Sequence, residues 1–66
     1  MQVEIDIKPE PKGDGDFMAV MLDATSHAGR EFRKGNFKGE GQITLNGYTD
    51  RGPYSRSYSY TWGILA

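Results

Sequence analysis

The 66-residue chain has no cysteine, one histidine, three prolines and no long apolar run. Without Cys there is no disulfide framework, no thiolate metal site and no Cys nucleophile, which removes the usual staples of a small secreted domain. One imidazole alone supplies no zinc site unless carboxylates or a second subunit complete it, and no cofactor is expected. A membrane span needs about 20 apolar residues, so no membrane partner is expected. The start, Met1-Gln2-Val3-Glu4-Ile5-Asp6, carries neither the basic cap nor the apolar stretch of a signal peptide, and a cytoplasmic location is the expectation. Aliphatic side chains are also scarce: two Val, four Ile, three Leu and three Met stand beside eight aromatics. Each ordered residue costs about 1.5 kcal/mol, so residues 1–66 make one small domain with a thin core.

What is present is alternation. Val3, Ile5 and Ile7 oppose Gln2, Glu4, Asp6 and Lys8, the period-2 pattern of a half-buried strand that stops at Pro9 and Pro11. Tyr54 to Ala66 alternates most cleanly, with Tyr54, Arg56, Tyr58, Tyr60, Trp62 and Ile64 on one face and Ser55, Ser57, Ser59 and Thr61 on the other. Residues 17–25 form a short apolar run that suits a buried strand, with Thr25–Gly29 as a hairpin loop and Arg30–Arg33 as the next strand. The same stretch also suits a helix over about 17–28, N-capped by Asp16 and ended by Gly29, because Phe17, Met21, Ala24 and Ala28 fall at spacings of four, three and four. Gly35–Gly41 reads as a loop or a strongly bulged strand, Asn46-Gly47 as a bulge or tight turn, and Asp50-Arg51-Gly52-Pro53 as a turn. The expected fold is all-β, a five-stranded antiparallel meander or partly open barrel of the SH3-like or OB-like kind; the alternative is α+β.

Catalysis has little to work with. His27 is the only imidazole, adjacent Ser26 points elsewhere, and Asp14 and Asp16 lie in exposed turn sequence with no source of a raised pKa. The Asp14-Gly15-Asp16 spacing lacks the remaining ligands of a calcium loop, and the glycines of 35–41 do not match a phosphate-binding pattern. A non-enzymatic binding protein is therefore expected.

Charge is unevenly divided. Residues 1–24 hold six acids and two bases, and residues 25–66 hold six bases and three acids, giving −4 and +3. The bases are interleaved with aromatics, the composition of a platform for single-stranded nucleic acid. Arg30, Arg33, Lys34 and Lys38 are the expected phosphate contacts, and Phe37, Tyr48 and Tyr54 the expected stacking residues, with Arg56 beside them. A competing reading places a protein partner, or a second copy forming a homodimer with a continuous sheet, on the 54–62 segment as an edge strand displaying Ser55, Ser57, Ser59 and Thr61. A structural or assembly role is the third reading.

Overall fold

The computed structural model describes residues 2–65. Their elements are β1 (Gln2–Lys8), α1 (Asp14–Arg33), β2 (Lys38–Thr49) and β3 (Gly52–Leu65). The strands form one sheet in the order β1-β3-β2, and both outer strands run antiparallel to β3. β1 and β2 are thus parallel, joined by the helix as a crossover, with the last strand inserted between them as in a split βαβ unit.

The alternation of β1 and β3 places their faces as their sequences indicate. Val3, Ile5 and Ile7 lie opposite Ile64, Trp62 and Tyr60 on the side facing α1. Tyr58, Tyr60 and Trp62 are buried there with Val20, Ala24 and Ala28 of the helix, and Ile5, Ile7, Ile43, Leu45 and Ile64 pack around them. Full burial of one large apolar side chain contributes about 1.5–3 kcal/mol, so three aromatics supply much of what a chain this short has available.

The five-stranded all-β expectation is overturned: residues 14–33 are one helix, and the sheet has three strands and stays open. The helical alternative for 17–28 matches the structure, though the helix is longer at both ends. Gly29, read as a helix end, lies inside it on an exposed side. A single interior glycine costs about 1 kcal/mol, which the packing of Val20, Ala24 and Ala28 against β3 outweighs. The true end is a Schellman motif: Gly35, with φ of 93°, donates its N–H to the Phe32 carbonyl, and Asn36 donates to that of Glu31. At the other end Gly13 precedes the helix without a side-chain cap, so Asp16 is the third helical residue, not the N-cap.

The second correction concerns Gly35–Gly41 and Asn46-Gly47. Gly39, Gly41 and Gly47 all lie within regular β2, opposite Trp62, Tyr60 and Tyr54. Each gives up its side chain so that a ring from β3 can lie over its backbone, the sheet device in which an aromatic covers a cross-strand glycine. A Cβ on Gly41 would stand 2.5 Å from the Tyr60 hydroxyl oxygen, and one on Gly39 2.8 Å from the Trp62 ring. The only tight turn in the β2–β3 hairpin is Asp50-Arg51, followed by Gly52 at φ of 115°.

The aromatics over Gly39 and Gly41 are buried, whereas Tyr54 over Gly47 is half-buried and meets that glycine with the outer end of its ring. Gly39→Ala and Gly41→Ala should each lower unfolding free energy by about 1–3 kcal/mol in urea titrations, and Gly47→Ala by clearly less. Equal losses at the three positions would contradict the packing described.

Candidate functional site

The Schellman motif closing α1 also builds a basic corner. Arg30 and Arg33 occupy the last turn, where cations offset the negative end of the helix dipole, and Lys34 and Lys38 bracket the link to β2. Glu31 accepts hydrogen bonds from Lys34 Nζ (3.2 Å) and Asn36 Nδ2 (2.9 Å), which hold its carboxyl below the ordinary range and fix the link. Among the described residues the only ion pairs are Lys34–Glu31 and Arg56–Asp16, so Arg30, Arg33 and Lys38 have no carboxylate partner. Phe37 stands in the same corner, 61 % exposed, its ring edge-on to Phe32 at 5.8 Å. Its carbonyl accepts the Ile64 N–H at 2.7 Å, anchoring that backbone to β3.

The opposite end of the helix is a closed network. Asp16 accepts Arg56 Nε at 2.5 Å and an Arg56 terminal nitrogen at 3.0 Å, and Tyr58 donates its hydroxyl to the same carboxylate at 2.6 Å. The Lys12 N–H donates to the Tyr58 oxygen at 3.2 Å, tying down the β1–α1 link. The hydrogen bonds from Arg56 and Tyr58 lower the Asp16 pKa to about 2. Arg56 also lies over the Tyr54 ring, 4.3 Å from its centroid. Midway along the helix Tyr60 donates to Asp23 at 2.7 Å and lies 3.3 Å from His27 Nδ1. Its single hydroxyl proton is used on Asp23, so His27 donates to the Tyr60 oxygen from Nδ1. Burial and the Asp23 carboxylate push the Tyr60 pKa up to about 12, away from any value at which it works as a base.

The expected nucleic-acid residues therefore do not form one surface. Arg30, Arg33, Lys34, Phe37 and Lys38 share the α1–β2 corner. Tyr48 lies ten residues further along β2, about 33 Å away at the usual strand rise. Tyr48 and Tyr54 sit on opposite faces of the hairpin, where β2 and β3 run past the helix. Arg56 is held by Asp16. The partner reading needs a correction as well: residues 59–65 of β3 are paired on both sides, so within 54–62 only residues 54–58, which pair with β2 alone, keep an edge free of β1. Ser55, Ser57, Ser59 and Thr61 are outward and exposed as expected, but Ser59 and Thr61 form the middle of the open sheet face and Ser55 and Ser57 continue into the β2–β3 hairpin. Thr61 lies between Asp6 and Glu40, and Ser59 between Lys8 and Gln42, giving a face of mixed charge.

Two features escape the sequence reading. Asp23 and His27 join Tyr60 only through the helix register, and the sole hint was their spacing of four. The weak cover that α1 gives β1 follows from the helix itself, which a strand over 17–25 lacks. Among the described residues no three His, Asp or Glu side chains gather to hold a metal ion, and no helix is long and apolar enough to cross a membrane.

The two networks set opposite pH limits. Asp16 is more acidic folded than unfolded, so its contribution is complete above about 3.8 and is lost as pH falls towards 2. Tyr60 is less acidic folded, so its contribution is complete below 10 and is lost as pH rises towards 12. Thermal unfolding followed by circular dichroism should show Asp16→Asn with a lower Tm at neutral pH and a flatter acid limb, and Tyr60→Phe with a flatter alkaline limb. An Asp16→Asn acid limb as steep as that of the parent would contradict the network.

Compared with protein-family models, curated proteins and solved structures, the chain finds no match, so its function rests on its own geometry and chemistry.

Proposed function

We propose that the chain is a non-enzymatic binding module that holds single-stranded nucleic acid at the α1–β2 corner. The observation that carries this reading is the exposed Phe37 ring among three bases without carboxylate partners and a fourth, Lys34, that is itself largely exposed. Phosphates meet Arg30, Arg33, Lys34 and Lys38, while a base stacks on Phe37, whose other contact is the edge of Phe32. The formal charge of −1 does not oppose this, because the acids lie mainly in the first third of the chain and two of them, Asp16 and Asp23, are engaged by β3. The open sheet face is a poorer candidate: Glu4, Asp6 and Glu40 lie there with Lys8, and Lys38, at the start of β2, is the base it shares with the corner.

Anisotropy of a labelled short pyrimidine strand tests the proposal. Three to four phosphate contacts give a slope of log K against log salt of about −2 to −3. Lys34→Glu with Lys38→Glu should abolish binding at physiological salt. Phe37→Ala should weaken it by about 1–3 kcal/mol without altering the salt slope, and Tyr48→Ala and Tyr54→Ala should leave it unchanged. Trp62 is buried in the core, so its fluorescence should not respond. No binding at low salt, or binding indifferent to the double charge reversal, overturns the proposal.

A further inference from the structure

An open sheet presents unpaired N–H and C=O groups along its outer strands, a template on which a further strand can add. On β2 one bond shows which groups these are. Ile64 donates its N–H to the Phe37 carbonyl, so Phe37 and Ile64, and every second pair along the β2–β3 ladder, exchange hydrogen bonds. The residues between them, the even-numbered ones from Lys38 to Tyr48, turn both backbone groups away from β3. These six residues direct two groups each, twelve in all, to the outer side of β2, where no other strand of the chain lies.

The free edges of the sheet differ in how they are protected, and proline and charge are the usual devices. The stretch of β3 that β1 does not reach is closed at its hairpin end by Pro53, which has no N–H to donate. On β1, beside the open groove of about 470 Å³ at Ile5 and Ile7, every two-fold pairing of five or more residues opposes acids: Glu4 to Asp6, or either to itself. On β2 both devices are missing, since it holds no proline and carries no charge from Gly41 to Thr49. Its Tyr48 is 81 % exposed.

We propose that β2 pairs with β2 of a second copy, antiparallel about a two-fold axis along the sheet normal at Ile43. The product is one continuous six-stranded sheet with both helices on the same face. Directly opposed residues share a face of a sheet, and of the two-fold registers that satisfy this, the one centred on Ile43 pairs all six outward-directed residues. The occupant is a second copy because the strand is its own complement in that register. Lys38 lies opposite Tyr48 of the other copy, Glu40 opposite Asn46 and Gln42 opposite Thr44, so no like charges are opposed. On the helix side Ile43 meets its own counterpart, and Leu45 faces Gly41 of the other copy, over which the Tyr60 ring lies. Backbone bonds with few large side chains make a contact of the weak, reversible class. The dilute chain is therefore a monomer whose outward β2 amides meet solvent.

Sedimentation equilibrium should give the 7.4 kDa chain mass at about 5 µM and approach twice that at about 500 µM, without nucleic acid. Thr44 directs its N–H to the free edge, so Thr44→Pro removes no backbone bond within the chain and should hold it at 7.4 kDa at both concentrations. Met18→Glu with Leu22→Glu, on the exposed side of α1, should leave the dimer unchanged. Non-hydrogen-bonded pairs bring Cα atoms to about 4.5 Å. Isotope-filtered NMR of the unaltered chain, mixed from two labels at high concentration, should therefore show the Gly41 Hα of one copy against the Leu45 Hα of the other, whatever the folding of any variant. A monomer at 500 µM, a dimer that survives Thr44→Pro, a dimer broken by the two helix changes, or a dimer without that Hα contact overturns the proposal.

Discussion

The row Tyr58, Tyr60 and Trp62 on the central strand is the contact on which the rest of the molecule depends. Two of the rings lie over glycines of β2 on one side, and all three meet Val20, Ala24 and Ala28 of the helix above. Small residues on both neighbours let three large ones be buried by a chain with few aliphatics. The phenol oxygens of the two tyrosines are then satisfied by Asp16 and Asp23, one and three turns into the helix. Burial without these partners would leave two polar groups unpaired, so the same two bonds that complete the core also fix the rotation and position of α1.

That position has consequences at both ends of the helix and along its side. Held over β2 and β3, α1 leaves β1 half covered, which is the origin of the groove beside Ile5 and Ile7. Held at its N-terminal end by Asp16 and Arg56, it delivers its last turn and the Schellman link to the far end of the sheet, where Arg30, Arg33 and Lys34 gather around Glu31, which is bonded to Lys34 and Asn36. The charge difference between the halves of the sequence thus becomes a difference between the two ends of one helix. Beyond the helix, β2 and β3 continue as a two-stranded ribbon, the reason the Cα trace reaches 46 Å in length.

The strands β1 and β3 and the division of their faces were legible because period-2 alternation is a local signal. The helix was not settled by local pattern, since a nine-residue apolar run satisfies both readings. What decides it is that Asp16, Asp23 and Ala24 meet β3 partners some 40 positions away only in helical register. The glycines of 35–47 misled for a related reason: in isolation they signal loops, and only the rings of β3 opposite them make them strand residues. The basic corner was legible in composition, but Tyr48, Tyr54 and Arg56 fell away from it because strand length, invisible in a residue list, separates them. From residue 59 onward β3 takes the central place and the free edges pass to β1 and β2, which no local property of Ser59 or Thr61 reveals.

The dependence of the fold on the β3 row is tested most directly by native-state hydrogen exchange measured residue by residue. The account predicts that amides of Tyr58–Trp62 and of Val20–Ala28 exchange only through global unfolding, with the same free energy. Those of Asn46–Thr49 and Gly52–Ser55 in the ribbon should open far more readily. Protection of the ribbon equal to that of the β3 row, or a helix that opens independently of β3, would contradict it.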